Sequence, residues 1–145
     1  MKHGIGWVRN GAAVAALCLA GVAAIPARSA ADLPYLYEQL KKPAYKDPLT
    51  ALLRGQAKLP PWVGAFLKTS NGVATPGAAV PVGGQTLELY AVCEPHNCGG
   101  NFLYVLYAPG GGQAWALVTK DGQVIAMLGN PDPAHQKALT DAMKP

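Results

Sequence analysis

The chain has 145 residues, half of them hydrophobic, and the 145 − 31 = 114 residues from Asp32 onward suffice for one compact domain and not for two. It carries 12 Lys and Arg against 8 Asp and Glu. Three of these cations, Lys2, Arg9 and Arg28, lie in the first 31 residues, and the remainder is almost neutral. The basic balance therefore does not indicate a nucleic-acid-binding surface.

Residues 1–31 are predicted to be a signal peptide that is cleaved on export. A cationic start is followed by an uncharged run over residues 11–25, and Ser29 and Ala31 place small residues where a signal peptidase cleaves. This apolar run is shorter than the roughly 20 residues of a membrane span. Residues 32–145 are therefore expected to form a single exported domain with no membrane attachment after cleavage.

The first part of this domain is predicted to be helical. Asp32 and Asp47 are suitable N-cap residues, and Pro34 and Pro48 follow them in the first turn. Gly55 supplies a stop signal. The predicted helices run from Asp32 to Leu40, from Asp47 to Arg54 and, as a short turn, from Trp62 to Leu67.

Beyond Asn71-Gly72 the sequence changes to a strand pattern. Gly and Pro separate short runs of period two, and Gly83-Gly84 and Asp121-Gly122 are hairpin signals. Because every connection is short, the sheet is expected to be antiparallel. The predicted strands are Ala78–Val82, Gln85–Cys93, Phe102–Ala108, Gln113–Thr119 and Gln123–Leu128.

A last helix is predicted from Asp132-Pro133 through Lys144, with His135 at a solvated position. The fold class is therefore α+β: an antiparallel sheet of about five strands flanked by helices. The residues of this helix expected to face the core are Ala134, Ala138, Leu139, Ala142 and Met143.

The segment Cys93-Glu94-Pro95-His96-Asn97-Cys98 carries the most specific chemistry in the chain. In an exported protein the even pair Cys93 and Cys98 indicates one disulfide, which would close a protruding hairpin loop with His96 at its apex. A structural zinc site needs four ligands, and a dithiol oxidoreductase normally has two residues between its cysteines. A small thiol or metal protein, and a loop that binds nothing, remain as alternatives. No metal, cofactor or catalytic residue is predicted.

The same hexapeptide resembles the Cys-Lys-Pro-His-Asp-Cys loop of the inhibitors of vertebrate lysozyme, the Ivy family of exported bacterial proteins. Further resemblance to the family lies in the right order along nearly all of residues 32–145. The matching segments are Tyr35–Glu38, Pro43–Lys46, Leu59–Val63, Gly72–Pro76 and Gly129–Asp132.

The resemblance implies a periplasmic protein, without enzyme activity, that inhibits C-type lysozyme. Its lysozyme-binding loop would consist of Glu94, Pro95, His96 and Asn97, and His96 would lie between the two catalytic carboxyl groups of the enzyme. A related muramidase, such as an endogenous lytic transglycosylase, is the alternative partner. The sequence leaves the choice between monomer and homo-oligomer open.

Two residues depart from the family pattern. Glu94 stands where the family carries Lys, and Asn97 stands where it carries Asp. Placing Glu94 beside catalytic carboxylates would weaken binding, whereas a cation at the rim of a basic lysozyme would offset that repulsion. The sequence leaves both outcomes open.

Overall fold

The computed structural model describes residues 33–144 as four helices and an antiparallel sheet, which confirms the predicted α+β class. The predicted signal peptide and Asp32 lie outside the described residues. The elements are α1 Leu36–Gln39, α2 Pro43–Leu53, α3 Pro61–Thr69, β1 Val73–Ala74, β2 Ala78–Val82, β3 Gln85–Cys93, β4 Phe102–Tyr107, β5 Ala114–Lys120, β6 Gln123–Leu128 and α4 Pro133–Asp141.

The strands form one sheet in the order β1-β3-β4-β5-β6, and every pairing is antiparallel. Strand β2 also pairs with β3, so β1 and β2 share the same edge of that long strand. The five predicted strands are present. Strand β1 was not predicted, because two residues are too few to show a period of two.

The sheet is covered on both faces. One face packs against α1, α2 and α3 through a cluster that includes Leu36, Leu49 and Phe66. The other packs against α4, where Leu139 is fully buried. Strands β4 and β5 lie between these two layers, and their side chains alternate between the two clusters. This double cover holds β3 and β4, and the connection between them, on a rigid base.

Helix α1 begins later than predicted. Tyr35 is its N-cap residue, and its backbone N–H donates to the Glu38 carboxylate at 3.1 Å. The prediction that Pro34 lies in the first helical turn is wrong, because its carbonyl accepts from the N–H of Gly77 at 3.1 Å. Pro34 is thus held against the segment that follows β1.

Helix α2 begins earlier than predicted, at Pro43, and Pro48 lies inside it. A proline has no N–H to donate to the carbonyl four residues before it, here that of Ala44. That carbonyl instead accepts from the N–H of Gly112, at 2.7 Å, in the turn between β4 and β5. The helix tolerates Pro48 because a neighbouring loop satisfies the acceptor that the proline leaves free.

The last helix agrees with its prediction at the start and is shorter at the end. The Asp132 carboxylate accepts from the backbone N–H of His135 at 2.9 Å, and Pro133 is the first helical residue. The residues predicted to face the core are buried or half-buried against the sheet. Among residues 33–144, no helix has the length and apolar character that crossing a membrane requires.

Candidate functional site

The site is the disulfide loop, defined as residues 93–98, together with its base, residues 99–101. It connects β3 to β4, whose last aligned pair is Cys93 with Phe102. One further backbone hydrogen bond continues the ladder, from the N–H of Glu94 to the carbonyl of Asn101 at 3.0 Å. The loop therefore extends from the middle of a buried sheet.

The predicted disulfide between Cys93 and Cys98 is present. The two Cα atoms are 5.0 Å apart, well within the range that a disulfide spans. Cys93 is only 3% exposed, whereas Cys98 is exposed. The bond thus ties the loop tip back to the buried end of its own strand and does not link β3 to β4.

His96 lies at the apex of a tight turn. The N–H of Asn97 donates to the carbonyl of Glu94 at 3.0 Å, so Pro95 and His96 are the two central residues. Proline first and a positive φ second are the features of a type II turn, and the φ of His96 is 61°. A side chain other than glycine is strained in this region of φ, and such strain persists where the surroundings impose it. The imidazole is exposed.

The flanking side chains hold the same turn. The Glu94 carboxylate accepts from the side-chain amide of Asn97 at 2.8 Å. Glu94 and Pro95 are half-buried, whereas His96 and Asn97 are exposed. The loop therefore presents one imidazole outward on a turn that three kinds of bond fix: a disulfide, a backbone hydrogen bond and a side-chain hydrogen bond.

The base of the loop is fastened to a different hairpin. The Thr119 hydroxyl donates to the carbonyl of Gly100 at 2.8 Å and accepts from the N–H of Phe102 at 3.0 Å. The same carbonyl of Gly100 accepts from the N–H of Gly122 at 3.0 Å. A Cβ at Gly100 would lie 2.3 Å from that nitrogen, so only glycine permits this approach.

Asn101 completes this attachment and is only 3% exposed. Its side-chain oxygen accepts from the N–H of Asp121 at 3.2 Å. The sequence interpretation missed Asn101 and Thr119. Thr119 lies beside the register shift between β5 and β6, where the regular strand pairing is interrupted. The sequence pattern does not show this shift, so it does not indicate that Thr119 bonds to the loop base.

A cleft of about 470 Å³ lies beside the loop. Glu94 and Asn97 line it on the loop side, and Asp121 and Lys120 line it on the side of the β5–β6 turn. The segment before α3 closes it, with Lys58 at the rim. Two cations thus share the cleft with two carboxylates, those of Glu94 and Asp121, so the formal charges that line it balance.

The chemistry of the site is that of recognition. Both sulfurs are bonded to each other, so neither is available as a nucleophile or as a thiolate ligand. Within residues 33–144, no three His, Cys, Asp or Glu side chains are grouped to hold a metal ion.

The predicted solvated position of His135 is wrong. Its side chain is 17% exposed and its ring packs on that of Trp115, with the centroids 4.1 Å apart. Its Nδ1 lies 2.7 Å from Asp132 Oδ1. These hydrogen bonds from His135 lower the pKa of the Asp132 carboxyl. His135 therefore belongs to the start of α4 and not to the loop.

Comparison with known proteins places the loop within a recognised family. The model of the family described as "Inhibitor of vertebrate lysozyme (Ivy)" matches residues 44–144. An inhibitor of vertebrate lysozyme from Pseudomonas aeruginosa is 32% identical over 88 residues, which cover 61% of this chain and 55% of the relative. An uncharacterized protein of Yersinia pestis is 28% identical over 101 residues, which cover 70% of this chain and 63% of the relative.

The matched region spans less than two thirds of the length of either relative. The family match itself covers more than half of this chain and includes β3, the whole disulfide loop, β4 and α4. The resemblance that the hexapeptide indicated is thus confirmed over most of the fold, and the chain belongs to the Ivy family.

Proposed function

We propose that this protein inhibits lysozyme by placing the disulfide loop, led by His96, in the active-site cleft of the enzyme. The observation that carries the proposal is the exposed imidazole of His96, held at positive φ on a turn that is fastened at its tip and at its base. Few conformations are left for such a loop to lose on binding, so most of its contact energy contributes to affinity.

The target is a glycosidase of the C-type lysozyme class. Retaining glycosidases hold two carboxyl groups about 5–5.5 Å apart around the scissile bond. An imidazole between them donates to one carboxyl group when neutral and to both when protonated. The loop then blocks the cleft by occupying it, and no bond is made or broken. The protein acts as a binding partner and not as an enzyme.

The setting of this activity is the periplasm. The predicted signal peptide would deliver the chain there, and the disulfide forms readily in that oxidising compartment. Membership of the Ivy family and the name of the Pseudomonas aeruginosa relative support lysozyme as the partner. The protein would then protect peptidoglycan from a lysozyme that reaches the cell.

Glu94 supports a second candidate target. Its carboxylate lines the cleft beside the loop, where a neighbouring catalytic carboxylate would repel it. An endogenous lytic transglycosylase has a single catalytic acid and would repel Glu94 less than the two carboxyl groups of a lysozyme. The disulfide between Cys93 and Cys98 argues against the alternative of a small thiol or metal protein, since it leaves neither residue a free thiol.

Peptidoglycan clearance tests the proposal directly. The exported protein is added to C-type lysozyme and, separately, to lytic transglycosylases, and residual activity is measured over a range of inhibitor concentrations. Stoichiometric inhibition of lysozyme supports the first target, and inhibition confined to transglycosylases supports the second. Absence of inhibition of every muramidase by correctly folded, disulfide-bonded protein would contradict both.

A further inference from the structure

A second concave surface lies on the helical side of the sheet, between α2 and α3. This α2–α3 groove has a volume of about 380 Å³, near the lower end of the range for small-molecule sites. Leu53 and Leu67 form its apolar lining, and both are half-buried against the core. None of the residues of the disulfide loop lines it.

Gly64 keeps this groove open. It lies inside α3, where glycine is a poor choice for helix stability. A Cβ at this position would meet no heavy atom within 4 Å, and its φ does not fall in the positive range. Neither packing nor backbone geometry therefore requires glycine here. The consequence of the missing side chain is the open space that it leaves in the groove.

Three cations line the same groove: Lys46, Arg54 and Lys68. None of them forms an ion pair with any part of the chain that the structure describes, and no acidic residue lines the groove. Lys68 lies in the last turn of α3, where a cation also favours the helix dipole. Lys46 lies near the start of α2, where the dipole disfavours a cation, so helix stability does not explain it.

The cations are placed to act together. Lys46 and Thr50 are four residues apart on α2 and therefore lie on one face, and Arg54, the C-cap residue of α2, lines the same groove. The Thr50 hydroxyl forms no hydrogen bond with the other described residues and is a free donor in the groove. The groove thus combines an apolar lining with three cations. This combination is complementary to a molecule that has an apolar part and an anionic part.

We propose that the α2–α3 groove binds a single-chain anionic amphiphile, with the alkyl chain along the two leucines and past Gly64. Its carboxylate, or an equivalent anionic headgroup, accepts hydrogen bonds from the lysine and arginine side chains at the rim. A membrane surface is a poorer fit. Helices that bind bilayers present protruding apolar side chains, whereas Leu53 and Leu67 are recessed between charged residues.

Titration calorimetry on the exported protein tests this site with dodecanoate below its micelle concentration. Acetate serves as the headgroup without a chain, and dodecyltrimethylammonium as the chain with the opposite charge. The variant Gly64→Leu fills the groove. A second variant replaces Lys46, Arg54 and Lys68 with Gln, and its charge-matched control replaces Lys41, Lys137 and Lys144, which lie outside the groove.

Saturable binding of one dodecanoate, and of neither comparison ligand, is expected. The triple groove variant should weaken it by about tenfold or more, the scale of a lost charge-assisted hydrogen bond. Gly64→Leu should weaken it by a similar factor because its side chain occupies the space of the alkyl chain, while the control triple binds as wild type. The circular dichroism spectrum and urea unfolding midpoint of Gly64→Leu report that it has folded. If both groove variants bound dodecanoate as tightly as wild type, the proposal would be overturned. It would also be overturned if wild type bound only to vesicles of anionic phospholipid.

Discussion

Glu94 and Asn97, the two residues of the loop that depart from the family pattern, contact each other. The Glu94 carboxylate accepts from the Asn97 amide at 2.8 Å. A Lys at 94 and an Asp at 97 would form a contact between the same two positions with donor and acceptor exchanged. Exchanging both residues together, Glu94 for Lys and Asn97 for Asp, would therefore preserve a bond across the turn while it alters the charge presented to a partner.

This contact predicts that substitutions at the two positions are not additive. Glu94→Lys removes a charge that repels catalytic carboxylates, so it should improve lysozyme inhibition, and the gain should shrink as salt rises. The gain should be larger in Glu94→Lys combined with Asn97→Asp, because the pair across the turn is then restored. Inhibition constants of the two single variants and the double variant, at low and high salt, measure the coupling. An additive result would show that the contact has no role in binding.

The imidazole of His96 is expected to account for most of the inhibition. A central anchor of an interface commonly costs about 2 kcal/mol or more on truncation, which is about thirtyfold in affinity, so His96→Ala should weaken inhibition by at least that factor. His96→Gly should do the same and also relieve the strain of positive φ, raising the free energy of unfolding by up to about 1 kcal/mol. Chemical denaturation and inhibition constants separate the two effects.

His135 provides the control for His96. Because its ring packs on Trp115 and its Nδ1 lies within hydrogen-bond distance of Asp132, His135→Ala should lower the free energy of unfolding by about 1 kcal/mol. Inhibition should be unchanged, since His135 lies on α4 and not in the loop. Equal inhibition by wild type and His96→Ala would contradict the loop-insertion mechanism.

The disulfide is expected to matter more for binding than for folding. Closing six residues stabilises a protein by about 2 kcal/mol in the chain-entropy model. Cys93→Ala with Cys98→Ser avoids placing a hydroxyl at the buried Cys93 position. The loss of inhibition by this variant, expressed as free energy, should exceed its loss of folding stability. A folded double variant that inhibits as well as wild type would show that the bond does not preorganise the loop.

Gly111 and Gly110 offer a matched test of the contact between α2 and the β4–β5 turn. Both have positive φ, so Ala at either position carries a similar backbone strain of roughly 1 kcal/mol. A Cβ at Gly111 would lie 2.5 Å from the carbonyl oxygen of Ala44, whereas a Cβ at Gly110 meets nothing within 4 Å. Gly111→Ala should therefore destabilise clearly more than Gly110→Ala in urea unfolding. Equal losses would show that the turn can move away from the helix without cost.

The raised pKa of Tyr45 predicts a loss of folding stability at alkaline pH. Burial, followed by its hydrogen bond to Glu88, raises its pKa from 10.0 to about 12. A group with a raised folded pKa contributes stability that is complete below its unfolded pKa and is lost as pH rises through the folded value. The free energy of unfolding should therefore fall between pH 10 and about 12. This decrease in the free energy of unfolding should be smaller in Tyr45→Phe than in wild type. An equal decrease in both proteins would show that it comes from other groups such as Tyr90 and Tyr107, whose pKa values burial also raises.

The sheet was the most predictable part of the fold. The strands β2 to β6 lie within one residue of their predicted bounds, because glycines mark their turns and their apolar residues are continuous or alternate. The start of α2 was not predictable from local signals. Pro48 reads as a helix start, and only the distant N–H of Gly112 explains why the helix continues through it.

The candidate site was predictable in its residues and less so in its geometry. The hexapeptide predicted the disulfide and the position of His96 at the apex of the loop. Pro95 is typical of the first central position of a turn. The attachment of the loop base was missed, because Thr119 reaches it from another hairpin. Contacts between residues far apart in sequence leave no periodic signal in either segment.

The two fastenings of the loop respond differently to the redox state of their surroundings. Thr119 and Asn101 hold the base by hydrogen bonds, which a reductant does not affect, whereas the tip depends on the bond between Cys93 and Cys98. In a reducing environment both sulfurs would be thiols, so the loop would have a fastened base and a loose tip. Reduction would therefore weaken binding through the loop without unfolding the sheet that carries it, and the bond between Cys93 and Cys98 makes the binding surface responsive to the redox state.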